Sequence, residues 1–118
     1  MEADYVALST SCKYLFTLLG LVTELGSSVG IPFSSSPRFH VQIHEDNVGA
    51  LTLAGLEPRR MTPRSKHYAL KYHWFCDHLG PRNVQLCKIA TKHQLGDMFT
   101  KGLGRFDFER LRLKLMGW

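Results

Sequence analysis

The sequence predicts a small α/β domain in which two short strands are set among four to five helices. Three observations predict it. Apolar residues near the start recur every three or four positions, two later stretches (41–43 and 84–89) are short and β-prone, and turn residues separate these from segments of helical periodicity. A chain of 118 residues, 44% of them hydrophobic, also suits one domain, near the small end of sizes that bury an adequate core.

The first helix is carried by Tyr5, Leu8, Cys12, Leu15, Leu19, Val22 and Leu25, which form one stripe at helical spacing, with Gly26 as the expected stop. Glu2 and Asp4 fall in its first turn, where negative charge suits the positive end of the helix dipole. A serine-rich loop with Gly30, Pro32 and Pro37 leads into the first strand, whose Val41 and Ile43 point one way. Asp46 and Asn47 then offer capping side chains for a helix from Val48 to Ala54, stopped by Gly55. Thr62 can cap the next helix with Pro63 at its first position, and that helix is expected to run to Leu79 before Gly80 and Pro81. Its apolar stripe is Tyr68, Tyr72, Phe75 and Leu79; a neighbouring basic stripe, Arg64, His67, Lys71 and His78, is expected to stay in water. After the second strand, Thr91 and Gln94 have capping-box spacing and would open a helix with Asp97 in its second turn. Gly102 and Gly104 break the chain, and Phe106, Phe108, Leu111, Leu115 and Met116 mark a last amphipathic helix.

Composition narrows the function classes. Three cysteines, odd in number and far apart, argue against a disulfide framework and fit a reducing compartment. Cys-x-x-Cys and His-Glu-x-x-His spacings are absent, which argues against a structural zinc site. The longest apolar run, 14–22, is shorter than the roughly 18 residues of a membrane span, and nothing resembles a cleavable signal, so an intracellular location in cytoplasm or nucleus is expected. A net charge of +5 favours an acidic partner. The charge is concentrated: between Pro58 and Cys76 stand Arg59, Arg60, Arg64, Lys66 and Lys71, two histidines and no acid.

Candidate chemistry starts from Asp46. A carboxylate just past the C-terminal end of a strand faces the crevice where open α/β sheets bind ligands. With Asp4 at the start of a long helix and Asp97 on a late one, three dispersed carboxylates suggest a hard divalent cation such as Mg²⁺, two of which about 3.5–4 Å apart can clamp an in-line phosphodiester displacement.

Four blocks stand in one order: Glu2-Ala3-Asp4-Tyr5-Val6-Ala7-Leu8-Ser9, Glu45-Asp46-Asn47-Val48-Gly49-Ala50, Arg64-Ser65-Lys66-His67-Tyr68-Ala69-Leu70-Lys71-Tyr72-His73 and Gln94-Leu95-Gly96-Asp97-Met98-Phe99-Thr100-Lys101. Together, over about residues 2–118, they resemble the ribonuclease H region at the C-terminal end of a copia-type retrotransposon Pol polyprotein; the ending Leu115-Met116-Gly117-Trp118 is similar as well. The resemblance implies a truncated ribonuclease H-like fold, with the two strands parallel. It also implies a family activity: hydrolysis of the RNA strand of an RNA–DNA hybrid by two Mg²⁺ held on four carboxylates. Asp46 and Asp97 match the family's strand-end and late-helix aspartates. Asp4 stands where the family has a glutamate before the tyrosine, one methylene longer. The family's first three strands, the first bearing another metal-binding aspartate, are not among these residues, so the resemblance implies a partial domain over 1–118.

A chain lacking that aspartate is expected to be inactive by itself. Asp4, Asp46 and Asp97 would be its metal ligands, and Arg59, Arg60, Arg64, Lys66, His67 and Lys71 would grip the phosphates of a hybrid. No membrane is expected as partner; the preceding part of the polyprotein is, or self-association through an exposed strand edge. The reading from another class is a non-catalytic nucleic-acid-binding or structural fragment that uses the same basic helix face and exposed aromatics such as Trp74.

Overall fold

The computed structural model describes residues 2–31, 39–57 and 60–118, with only the backbone of 68–71. Among these residues the fold is mixed α/β, with six α-helices and a two-stranded parallel sheet. In chain order the elements are α1 (Glu2–Ser28), β1 (Val41–Glu45), α2 (Val48–Gly55), α3 (Pro63–Tyr72), a 3₁₀ turn (His73–Phe75), α4 (Cys76–Leu79), β2 (Val84–Lys88), a second 3₁₀ turn (Thr91–His93), α5 (Asp97–Thr100) and α6 (Arg105–Met116). The expected fold class is observed, with one helix more than expected.

The sheet pairs Val41 with Val84 through Glu45 with Lys88, and the Ile89 amide extends the ladder to the Glu45 carbonyl at 3.1 Å. Asn83 enters β2 with φ +54°, a left-handed conformation that asparagine tolerates, and its side-chain amide donates to the Phe39 carbonyl. Between the strands the chain runs through α2, α3 and α4, the crossover a parallel pair requires.

The core lies where α1 crosses α2, α3 and the first 3₁₀ turn. Tyr5, Leu8, Cys12, Ala50, Leu53, Met61 and Phe75 form it, with Ile43 and Leu86 of the sheet packed against them. The α1 stripe therefore has the expected phase, but only its first half is covered. Leu15 and Leu19 are half-buried, while Val22 and Leu25 are exposed, as are Tyr14, Leu18 and Leu21. The smallest dimension of the chain, 17 Å, leaves little room for a layer over that end. Among the described residues α1 is the helix long and apolar enough to cross a membrane, a property that core helices of soluble proteins share.

Helix ends depart from expectation in three places. α1 continues past Gly26, which is buried inside it, to Gly30 at φ +76°; there the Gly30 and Ile31 amides donate back to the Ser27 and Gly26 carbonyls, closing a Schellman motif. The helix expected over 63–79 starts as expected, with the Ser65 amide donating to Thr62 Oγ1, but tightens at His73–Phe75. There Tyr5 Oη hydrogen-bonds with His73 Nδ1 at 2.7 Å and the Cys76 thiol donates to the Ala54 carbonyl, so tertiary bonds to α1 and α2 draw the helix in. Lastly, Thr91 caps no helix: residues 91–93 form a 3₁₀ turn, Gln94 donates instead to the His44 carbonyl at 3.0 Å, and α5 is a single turn beginning at Asp97.

Phe75 is fully buried and Tyr72 half-buried, while Arg64 and His67 are exposed, as their helix faces require. Tyr68 and Lys71 belong to the stretch whose side chains lie outside the described residues, and so does Arg59. The last helix runs from Arg105 to Met116, closed by Gly117 at φ +79°, yet of its apolar stripe only Leu111 is buried. The three cysteines are free, and burial pushes the thiols of Cys12 up to about 11 and Cys76 up to about 12, which keeps both protonated and poor as nucleophiles.

Candidate carboxylate site

The site forms where the start of α1 meets the end of β1, with Asp97 carried separately by the turn of α5. Asn47, between β1 and α2, organises it. Its Oδ1 accepts the Ala50 amide at 3.1 Å, capping α2; its Nδ2 donates to Asp4 Oδ2 at 2.6 Å; and its backbone amide donates to Glu45 Oε1 at 2.9 Å. The expected cap is thus supplied by Asn47, which leaves Asp46 half-buried beside it. One residue therefore fixes both α2 and the acid of α1 against the strand end.

Asp97 is buried, at 8% exposure, and its Oδ1 lies 2.9 Å from Lys101 Nζ, one turn along. The hydrogen bond that Lys101 donates to Asp97 raises the lysine's pKa, and the charges of Asp97, Asp46 and Asp4 raise it further. Of the three aspartates singled out by sequence, Asp97 is the one in contact with this ammonium.

Two residues of the site were missed from sequence. Glu45 shares the inward face of β1 with Val41 and Ile43, a period-2 signal that would have found it. Lys101 stands four residues after Asp97, and i,i+4 spacing was the signal. Burial raises the Glu45 pKa, as do the nearby Asp4 and Asp46 carboxylates, against the lowering effect of the Asn47 amide. A carboxyl group whose pKa is raised on folding stabilises the fold below its unfolded pKa, and that contribution fades as pH rises through the folded value. Glu45→Gln keeps an oxygen for the Asn47 amide but carries no charge. Its melting temperature relative to the parent is expected to climb from pH 4 to pH 7; a difference independent of pH would contradict the burial of a charged Glu45.

As a metal site the donor set does not fit. Among the described residues no group of three or more Asp, Glu, His or Cys side chains stands close enough to share an ion. Asp97 is neutralised by Lys101, Asp4 is turned to Asn47, and Glu45 is bound to a backbone amide. Asn47 joins the start of α1 to the end of β1 through hydrogen bonds, while Asp97 and Lys101 pair locally at α5.

The basic residues stand apart from this cluster. Arg60, Arg64, Lys66 and His67 are exposed, and Arg64 Nε lies 3.4 Å from Glu2 Oε1 across an open cavity of 720 Å³ lined by Glu2, Ala3, Thr62, Arg64 and Ser65. Trp74 is partly exposed against Phe16, with ring centroids 6.0 Å apart.

Over 114 residues, 97% of this chain, the sequence is 32% identical to the retrovirus-related Pol polyprotein from transposon RE2 of Arabidopsis thaliana. The chain is related to transposon Pol polyproteins. The corresponding polyprotein from transposon RE1 of the same plant is 28% identical over 97% of the chain, and that from transposon TNT 1-94 of Nicotiana tabacum 26% identical over 92%. The chain spans about 7% of the length of each of these relatives. No family model matches the chain, and no solved structure matches it.

Proposed function

We propose that this chain is the ribonuclease H-like region of a copia-type retrotransposon Pol polyprotein, and that in the present form it binds RNA–DNA hybrids without cutting them. The observation that carries the reading is the 2.6 Å hydrogen bond from Asn47 Nδ2 to Asp4 Oδ2, which ties the second block of the resemblance to the first. Relatedness to Pol polyproteins along 97% of the chain supports the origin.

Inactivity follows from the same cluster. Two-metal hydrolysis needs carboxylates free to share a pair of Mg²⁺, and here a lysine and an asparagine side chain engage two of the three. The chain's own residues can still bind. Arg64, Lys66 and His67 on the exposed face of α3, with Arg60 before it, present positive charge to phosphates without a deep pocket. On this reading the chain works inside the cell, where hybrids occur.

Fluorescence anisotropy of a labelled hybrid, titrated at several KCl concentrations, tests the binding arm. Affinity is expected to fall steeply with salt, and Arg64→Ala and Lys66→Ala are each expected to reduce the log–log slope by about 1. No binding at low salt, or a slope unchanged in both variants, would remove the α3 face from the reading.

A further inference from the structure

An aromatic and cationic patch stands where α1 passes the segment that follows α3. Phe16 of α1, Trp74 of the first 3₁₀ turn and His78 of α4 meet there, with ring centroids 6.0 Å apart for Phe16 and Trp74, 6.2 Å for Phe16 and His78 and 5.8 Å for Trp74 and His78. Arg82 closes the group: its guanidinium carbon lies 4.7 Å from the centre of the Phe16 ring, and its Nη1 is 3.0 Å from His78 Nδ1. The patch is open to water. Trp74 is 39% exposed, and His78 and Arg82 are exposed beside it. It is also firmly seated, because the Trp74 ring abuts that of Phe75 with centroids 6.4 Å apart, and Phe75 is fully buried in the core.

Ring, charge and position fit this patch to unpaired nucleic acid. An indole is a large flat surface on which a base of any sequence can stack, and one already anchored loses little freedom in doing so. Cations flank it. Among the described residues Arg82 pairs with no carboxylate, and Lys13 stands exposed on α1 one turn before Phe16, against Asp77 as the one acid between His73 and Arg82. His67, Trp74 and His78 stand at i, i+7 and i+11, so the patch continues the basic side of α3 beyond the residues assigned to the phosphates of a hybrid. A duplex keeps its base faces stacked inside; a single strand offers them.

We propose that Trp74 stacks an unpaired base of a single-stranded nucleic acid, with Arg82 and Lys13 as contacts for the adjoining phosphates. The choice of a nucleic acid as partner rests on the proposed function, whereas the surface, and a single strand rather than a duplex, go beyond it. The two surfaces together suit a hybrid that continues into an unpaired strand.

The test uses the 118-residue chain with Trp118→Phe, which leaves Trp74 as its only tryptophan. Its fluorescence is titrated at low salt with a short oligothymidylate and, separately, with an abasic oligomer of the same length, which carries the same phosphates and no bases. Saturable quenching by the first and none by the second is expected, because stacking needs a base. Trp74→Leu is expected to weaken binding of labelled oligothymidylate, followed by anisotropy, at least about fivefold, with Trp74→Tyr recovering most of it. The quenching experiment leaves Trp74 in place and so decides even where Trp74→Leu fails to fold. No quenching, or equal quenching by the abasic oligomer, overturns the proposal; so does equal affinity in Trp74→Leu, shown folded by a thermal melt, and the parent. A blunt hybrid titrated in parallel by anisotropy separates this proposal from the reading it rests on. Hybrid binding without quenching by the single strand overturns the stacking surface alone, and quenching by the single strand without hybrid binding supports it while removing the α3 face.

Discussion

Phe75→Ala is expected to abolish the cooperative unfolding of this chain at physiological temperature. Phe75 is fully buried where the 3₁₀ turn meets α1, its ring centroid 5.7 Å from Tyr5 and 6.4 Å from Trp74. It thus links the helix that carries Asp4 to the crossover between the strands. Removing a buried phenyl ring costs about 3–5 kcal/mol, the lost transfer free energy plus the cavity left behind. Small domains have only about 5–15 kcal/mol of stability in total, and this one belongs at the low end, because the second half of α1 buries almost nothing. Thermal melting followed by circular dichroism is expected to show a midpoint lowered by more than about 10 °C, or no transition at all. A midpoint within about 3 °C of the parent would mean that the core described around Tyr5 and Phe75 does not hold the fold.

The parent chain itself is expected to self-associate in solution. Tyr14 is 71% exposed, Leu18 55% and Leu25 57%, and with Leu21 and Val22 they form one apolar surface along α1. Beyond it, each strand of the sheet has one edge without a strand partner among the described residues. Isolated exposed leucines are ordinary, but a contiguous apolar face of this extent on a thin chain marks a surface that excludes water by association. Sedimentation velocity at micromolar concentration is expected to show dimers or larger species. The triple variant Leu18→Gln, Leu21→Gln, Leu25→Gln is expected to return the chain toward monomer, since none of the three contributes to the buried core. A monomeric parent would show that this face is tolerated in water and would also raise the expected stability.

Much of the fold was legible because it depends on local chemistry. The spacing of Tyr5, Leu8 and Cys12, the alternation at Val41 and Ile43, Asn47 before an apolar run and Thr62-Pro63 at a helix start each act within a few residues. What sequence could not show depends on distant partners. The break after Tyr72 coincides with a bond from His73 to Tyr5, 68 positions away, and the capping box at Thr91 fails because the His44 carbonyl, 50 positions from Gln94, takes the amide. Similarly, the α1 stripe is periodic to Leu25, but periodicity does not say whether another layer covers it. At the candidate site, three aspartates were visible as acids at helix starts and strand ends. Glu45 was overlooked beside Asp46, and Lys101 was not recognised as the counter-charge to Asp97 because a lysine four residues on looks like any solvated helix pair.

Binding without cleavage is tested together with an RNA–DNA hybrid labelled on its RNA strand, incubated with the chain in Mg²⁺ and resolved both on a native and on a denaturing gel. A retarded hybrid is expected on the first and intact RNA on the second, because Lys101 and Asn47 already engage Asp97 and Asp4. Metal-dependent nicking of the RNA that disappears in Asp46→Asn would contradict this, showing that these carboxylates do take up the ions.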